Sequence, residues 1–349
     1  MRTYTCLFAL FALLLACSPQ PAAPQPAAAA DEVPLISVYF SDPESPHAQS
    51  VRGGPDAHLA AAIAAAKVSV DMAIYDLDLW SVRDALLDAH QRGVLVRLVV
   101  ESDNLRRRTE LQELRAAGIA VVDDRHQDFM HNKFTIIDRQ EVWTGSMNYN
   151  VSGAYFNRNN LLRIVSPELA ENYLTEFEEM FLGFDFGDLS PANTPYPQWY
   201  FGEMRVETYF APEDGVLRRL VALVNAAEES LYFMAFSFTS DDLAAAVHTA
   251  AQRGVQIYGV MDEEQGLNNT GGEYHGFIEA GLDVRLDGER GAMHHKVLII
   301  DESIVVTGSY NFSNSAERRN DENVLVIESP LLATEYLGEF ERVWELALP

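Results

Sequence analysis

Three observations predict an α/β protein made of two copies of one domain. First, two stretches nearly repeat each other: Met130 to Asn150 reads MHNKFTIIDRQEVWTGSMNYN, and Met293 to Ser313 reads MHHKVLIIDESIVVTGSYNFS. Second, an offset of 163 residues relates His131 to His294, Gly118 to Gly281, Ser166-Pro167 to Ser329-Pro330 and Glu176-Phe177-Glu178 to Glu339-Phe340-Glu341. Third, helical and strand patterns alternate in the same order along each copy, as in a sheet covered by helices on both faces.

Taken from the N-terminus, Arg2 precedes the apolar run Leu7 to Ala16, which ends in Leu14-Leu15-Ala16-Cys17. The run is too short to span a bilayer and reads as a signal peptide. Its last four residues resemble a bacterial lipobox, which implies that Cys17 is lipidated and that the chain is an exported, membrane-anchored lipoprotein. Ser18 in place of Asp favours the outer membrane in a Gram-negative cell. Cys6 and Cys17 are the two cysteines of the chain and both lie in this leader, so the mature fold holds no internal disulfide. The Pro- and Ala-rich stretch up to Pro34 reads as a tether. The expected organisation is a signal peptide over residues 1–16, lipidated Cys17 and tether over 17–34, copy one over 35–182, a connector over 183–204 and copy two over 205–349.

Each copy opens with a short strand (Ile36 to Phe40; Val206 to Phe210) and an Ala-rich helix (about Asp56 to Ala66; about Val216 to Ala227). A buried strand follows, Val68 to Tyr75 or Leu231 to Phe238. The next helix carries Val82, Leu86 and Ala89 on one face and stops at Gly93; its counterpart runs from Asp241 to Arg253 and stops at Gly254. Strands Leu95 to Val100 and Val255 to Met261 complete βαβ units, which favour parallel pairing. A further helix, the twin motif, a strand (Leu161 to Val165; Val324 to Ile327) and a closing helix finish each copy. Trp199, Tyr200 and Phe201 in the connector are expected to pack at the domain seam, with a substrate entrance as the other reading.

The net charge is −27, which opposes attraction to polyanions and disfavours nucleic acid as a partner. Of 25 basic residues only Lys67, Lys133 and Lys296 are lysines. Two of these three fall at equivalent positions of the twin motifs, where a compact ammonium is wanted in place of a planar guanidinium. Residues two apart on a strand share a face, so His131 points with Lys133 and His294 with Lys296. Asp138 and Asp301 sit at the turns beyond. The return strands lead to Gly145-Ser146-x-Asn148 and Gly308-Ser309-x-Asn311, where glycine permits close approach and asparagine can donate hydrogen bonds. An imidazole, an ammonium and an amide from each copy suit a phosphodiester: the cations and amides stabilise charge on the equatorial oxygens while one imidazole attacks and the other donates a proton. No cofactor and no metal is expected. His294-His295 is not read as a ligand pair, because adjacent strand residues face opposite ways.

The pattern HxK(x)4D(x)6GSxN, present twice in register, resembles that of the phospholipase D superfamily. The resemblance covers residues 36 to 349. It implies two tandem repeats, each a mixed sheet flanked by helices, related by pseudo-twofold symmetry with a shared active site, and a phosphohistidine intermediate. Glu322 lies 28 residues after His294, where the superfamily commonly places a carboxylate that bonds the catalytic imidazole; the same step from His131 reaches Asn159. On that spacing Glu322 is expected to hold His294 protonated as general acid, leaving His131 as nucleophile, with a damaged first half as the other reading of Asn159. The catalytic set is then His131, Lys133, Asn148, His294, Lys296, Asn311 and Glu322, supported by Asp138, Ser146, Asn159, Asp301 and Ser309. Arg106 to Arg108, Arg318 and Arg319 are expected near the mouth of the site or on solvated helix faces.

The function expected from these readings is metal-independent phosphodiester hydrolysis of phospholipids by a monomer. A nuclease of the same superfamily, transfer to an alcohol as in cardiolipin synthases, and a non-catalytic envelope lipoprotein are the alternatives.

Overall fold

Among the described residues, fifteen strands, all in the unit from Leu35 to Pro349, build two sheets. The computed structural model describes Met1 and residues 35–125, 127–288 and 291–348; the expected signal peptide, Cys17 and tether lie outside the described residues. In the first half the strands are β1 (Ile36–Phe40), β2 (Ser69–Ile74), β3 (Leu95–Val100), β4 (Ala120–Asp123), β5 (Lys133–Ile137), β6 (Glu141–Gly145) and β7 (Asn160–Val165). In the second half they are β8 (Gln198–Phe201), β9 (Met204–Ala211), β10 (Ser230–Ala235), β11 (Gln256–Met261), β12 (Asp283–Leu286), β13 (Lys296–Ile300), β14 (Ile304–Gly308) and β15 (Glu322–Glu328). The orders are β1-β7-β6-β5-β2-β3-β4 and β12-β11-β10-β13-β14-β15-β9-β8.

Both sheets are mixed for the same reason. The expected βαβ unit is present, with β2 parallel to β3 and β10 parallel to β11. The motif strand then pairs antiparallel on the other edge of β2 or β10, and the hairpin after it adds two antiparallel neighbours. The helix between the parallel strands buries Val82, Leu86 and Ala89, the face the 3.6-residue period marked. β8 departs from the expectation that residues 183–204 are connector only: it pairs with β9 as an edge strand, and its Trp199 is buried in the core between the sheets.

Three hydrophobic cores follow from this arrangement. One lies outside each sheet, under its own helices. The third lies between the sheets and mixes Phe134, Tyr173 and Phe177 of the first half with Val297, Tyr336 and Phe340 of the second. The closing helices Pro167–Glu178 and Pro330–Leu346 supply much of it. The repeated Ser-Pro starts them: Ser166 and Ser329 cap the N-termini with their hydroxyls, and proline stands at the first helical position.

Two buried asparagines sew the halves together. Asn323 of β15 accepts hydrogen bonds from Thr144 (2.6 Å) and Tyr173 (3.1 Å) and donates to Asn132 (2.8 Å), all three in the first half. Asn160 of β7 does the reverse, accepting from Thr307 (2.9 Å) and Tyr336 (3.2 Å) and donating to His295 Nδ1 (3.1 Å). His295 completes its bonding through Nε2 to Glu339 at 3.1 Å. It therefore faces away from the imidazole of His294, as strand alternation requires. Asn323→Ala should orphan several of these buried groups and lower stability by about 2 kcal/mol, read as a shifted urea midpoint with one shared transition for both halves. A change below about 0.5 kcal/mol, or two separate transitions, contradicts the seam as described.

Candidate active site

The two motifs deliver their groups through the same local geometry. Between β5 and β6 the turn places Asp138 and Arg139 at φ 53° and 55°; between β13 and β14, Asp301 and Glu302 hold 48° and 50°. Asp138 accepts the N–H groups of Lys67, Val68 and Ser69, and Asp301 those of Glu228, Glu229 and Ser230, at 2.6–3.2 Å. Burial raises the Asp301 carboxyl, but the three backbone donors outweigh it and hold the group below the usual range. These two aspartates anchor the motif hairpins to the starts of β2 and β10. At the far end of each hairpin, Gly145 and Gly308 adopt φ 145° and 149°. A Cβ there would meet the Asn160 carbonyl oxygen at 2.4 Å or that of Asn323 at 2.1 Å, so only glycine lets the serine that follows reach its partner.

The expected pairing of Glu322 with His294 is incorrect, and the pairing is crossed. Glu322 accepts from Nδ1 of His131 at 2.8 and 2.9 Å, whereas His294 Nδ1 donates to Asn159 Oδ1 at 2.8 Å. The cause lies in the backbone. His131 N–H donates to Asp321 C=O at 3.0 Å and His294 N–H to Arg158 C=O at 2.9 Å, so each motif enters the seam beside the strand start of the other half. The serines stay local: Ser309 donates to Glu322 at 2.6 Å and Ser146 to Asn159 Oδ1 at 2.9 Å. Asn159 Nδ2 donates to the Gly153 carbonyl, which fixes the amide so that its oxygen faces His294. Both rings thus carry their proton on Nδ1, leaving Nε2 as the reactive atom.

The electrostatics of the two rings differ. Burial pushes His131 down to about 4, against the opposing pull of Glu322. Burial pushes His294 well below its ordinary value, and Lys296, Lys133 and His131 add to the effect with no carboxylate to oppose them. Glu322 is wholly buried, yet His131 and Lys133 together with the Ser309 hydrogen bond keep it ionised and below the usual carboxylate range. Lys133 and Lys296 are buried too. Each donates from Nζ to the carbonyl of its own motif histidine, at 2.6 and 2.7 Å, and each lies over an aromatic ring, Tyr75 at 5.1 Å and Phe236 at 4.8 Å. Burial lowers Lys133 to about 7 and Lys296 well below its ordinary value. An anion bound beside these two lysines would favour their charged form.

A cavity of about 330 Å³ opens over this group, lined by His131, His294, Asn148 and Asn311 among others. The predicted set is therefore brought together: both histidines and both asparagines line the cavity, and both lysines, Glu322, Asn159, Ser146 and Ser309 lie behind it. The arginine clusters are not. Arg108 is bound to Asp76 and Asp78, Arg106 to Asp103, and Arg319 lies by Asp128; none of the described arginines lines the cavity. Reasoning from the sequence missed Asn320, which donates to Glu322 at 3.2 Å, and the Asn160/Asn323 pair, although the latter repeats at the 163-residue offset. It also left Tyr75 unassigned; its ring packs edge-on against His131 at 5.0 Å, as Phe236 packs against His294 at 4.6 Å.

The family model described as "Cardiolipin synthase, PLD-like domain" matches residues 59–181 and again residues 220–344. A phospholipase D of Rickettsia bellii is 37% identical over 133 residues, 38% of this chain and 66% of that protein. A mitochondrial cardiolipin hydrolase of Mus musculus is 40% identical over 131 residues, 37% of this chain and 58% of that protein. These alignments span under two thirds of the relatives' length. The crystal structure of a phosphatidylserine synthase from Haemophilus influenzae shares the fold, with a TM-score of 0.64 and 15% identity over 84% of this chain and 85% of that one.

The depressed lysines make anion binding proton-linked. A bound dianion raises their affinity for protons, so binding takes protons up and weakens as pH rises past about 7. Sulfate, which stays doubly charged, is expected to bind at least about tenfold more tightly at pH 6 than at pH 9, since each proton bound above its pKa costs about 1.4 kcal/mol per pH unit. Calorimetry in buffers of different ionisation enthalpy should show the uptake; pH-independent affinity contradicts this electrostatic account.

Proposed function

The chain belongs to the phospholipase D superfamily, and from that premise we propose a metal-independent phosphodiesterase that hydrolyses phospholipid phosphodiesters through a phosphohistidine intermediate. One observation carries the reading: two imidazoles, crossed in their support, share a cavity backed by two buried lysines whose charge an anionic substrate would favour. Binding of the anionic substrate raises His294, which takes a proton from solvent onto Nε2; in the first step Nε2 of His131 bonds to phosphorus, the phosphorus–oxygen bond to the leaving alcohol breaks, and that proton passes to the leaving oxygen. In the second, neutral His294 takes a proton from water, the oxygen bonds to phosphorus, and the phosphorus–nitrogen bond breaks to return His131 and release a phosphomonoester. Lys133, Lys296, Asn148 and Asn311 meet the equatorial oxygens.

The crossed pairing keeps His131 as nucleophile for a reason different from the one the spacing offered. Phosphorylation places positive charge on the ring, and Glu322, bonded to its Nδ1, neutralises that charge as it develops. Asn159 orients His294 through Nδ1 without adding a negative charge, so the charge of the bound substrate raises the ring enough to take a proton from solvent onto Nε2, and the leaving oxygen takes that proton. Asn159 is on this account a working part of the acid's environment, not a lesion. The strongly acidic chain and a cavity without described arginines support lipid over nucleic acid. The lipobox-like Leu14-Leu15-Ala16-Cys17 supports anchorage of the site at a membrane surface. Cys17→Ser should move the protein from the membrane to the soluble fraction; unchanged membrane retention sinks the anchor.

Purified protein in EDTA is expected to cleave phospholipid vesicles, leaving single- and double-stranded DNA intact, and His131→Ala should lose at least about a thousandfold in rate. Acid-stable trapping is not expected, but alkaline quenching of a slow substrate should recover phosphate on His131. Label on His294 reverses the roles; cleavage of DNA alone overturns the lipid reading.

A further inference from the structure

Met130 to Asn132 and Met293 to His295 lie just ahead of β5 and β13, which begin at Lys133 and Lys296. The residue before each motif imidazole therefore needs an acceptor for its buried backbone N–H outside the strand ladder. In both halves a buried carboxyl group supplies it. Glu101 Oε2 accepts from Met130 N–H at 3.1 Å, and Asp262 Oδ2 from Met293 N–H at 3.2 Å. The second oxygen of each caps a short helix. Glu101 Oε1 accepts from Asp103 N–H at 3.2 Å in the helix Ser102–Arg107, and Asp262 Oδ1 from Gln265 N–H at 3.0 Å in the helix Glu263–Asn268. The two residues are 3% and 5% exposed, and they correspond at the 161-residue offset that relates Gln91-Arg92-Gly93 to Gln252-Arg253-Gly254.

A further buried carboxyl group stands behind each. Asp124 Oδ1 accepts from Ser102 N–H and Asp287 Oδ1 from Glu263 N–H, both at 2.9 Å. Burial, with Asp124 beside it, pushes the Glu101 carboxyl up to about 7, and burial raises Asp262 as well. A hydroxyl or an amide would cap either helix without burying an acid. Neither offers two acceptor oxygens, one for the helix and one for the motif. The backbone is also held on the far side of each ring, where Tyr75 N–H donates to Asn132 C=O at 3.0 Å and Phe236 N–H to His295 C=O at 2.8 Å. Asn104, on the helix that Glu101 caps, donates from Nδ2 to the Tyr75 carbonyl at 2.7 Å, so both holds on His131 trace back to that helix.

We propose, on the phosphodiesterase reading above, that Glu101 and Asp262 are positioning residues, each setting the reach of the imidazole in its own half: Glu101 for His131 and Asp262 for His294. The crossed partners Glu322 and Asn159 act on Nδ1 from the opposite half and set tautomer and charge. These carboxyl groups act on the backbone and set where the ring stands. A reacting group displaced by about 1 Å can cost about a hundredfold in rate, while the lysines and asparagines that meet the phosphate stay in place.

Glu101→Gln and Asp262→Asn keep size and remove one acceptor oxygen. With bis-p-nitrophenyl phosphate each is expected to lower kcat at least about tenfold with KM changed less than about twofold. Glu101→Asp, the residue the second half uses, keeps both oxygens and should recover most of the lost rate; no recovery overturns the role. In spectra of ¹⁵N-labelled histidine, Glu101→Gln should shift the ring resonances of His131 and leave those of His294, and Asp262→Asn should do the reverse. A lower melting temperature with kcat and both rings unchanged makes these groups helix caps only and overturns the proposal, as does an equal shift of both rings. If Glu101→Gln does not fold, Asp262→Asn decides by the same criteria. No turnover of the diester by the wild-type protein overturns the phosphodiesterase reading, while the spectra still decide whether each carboxyl group places the ring of its own half.

Discussion

The crossed support of the two imidazoles is the constraint on which the rest of this structure depends. Glu322 serves His131 and Asn159 serves His294, each across the seam, so neither half holds a complete reactive unit. The backbone bonds from His131 to Asp321 and from His294 to Arg158 set this exchange. Asn160 and Asn323 stabilise it with buried side-chain bonds to the opposite half. A fold that lost the seam would lose the tautomer of both rings at once. That coupling accounts for the mixed core between the sheets, where Phe134 and Tyr173 pack with Val297 and Tyr336.

Electrostatic poise is the second consequence. The site buries two lysines and two histidines around one ionised carboxylate, and burial depresses all four bases. Desolvating that many basic groups is unfavourable for their charged forms, so the cavity suits an anionic ligand. The acidic remainder of the chain does not oppose this locally, because interactions with distant surface charges are screened by solvent and salt. Arg108, expected from the sequence near the mouth, is bound by Asp76 and Asp78.

Much of this was legible in the sequence because repetition marks it. The HxK pairs, the Gly-Ser-x-Asn returns, the βαβ order and the Ser-Pro helix starts recur at fixed offsets, and their local geometry follows from strand and helix periodicity. What the sequence hid was anything decided between the copies. Glu322 stands the same distance along the chain from His294 as Asn159 from His131, and spacing alone cannot say that each side chain leans across to the other half. The Asn160 and Asn323 network was overlooked for a related reason: the pair repeats at the 163-residue offset, but the repeat does not say that each amide bonds across to the other half. β8 was missed because proline, glycine and aromatic residues in the connector resemble a loop, while its pairing partner β9 decides otherwise.

Histidine NMR tests the central claim most directly. With ¹⁵N-labelled histidine, Glu322→Gln is expected to shift the Nδ1–H resonance of His131 while leaving that of His294 in place, and Asn159→Asp is expected to do the opposite. Perturbation of His294 by the Glu322 substitution, with His131 unchanged, would contradict the crossed site.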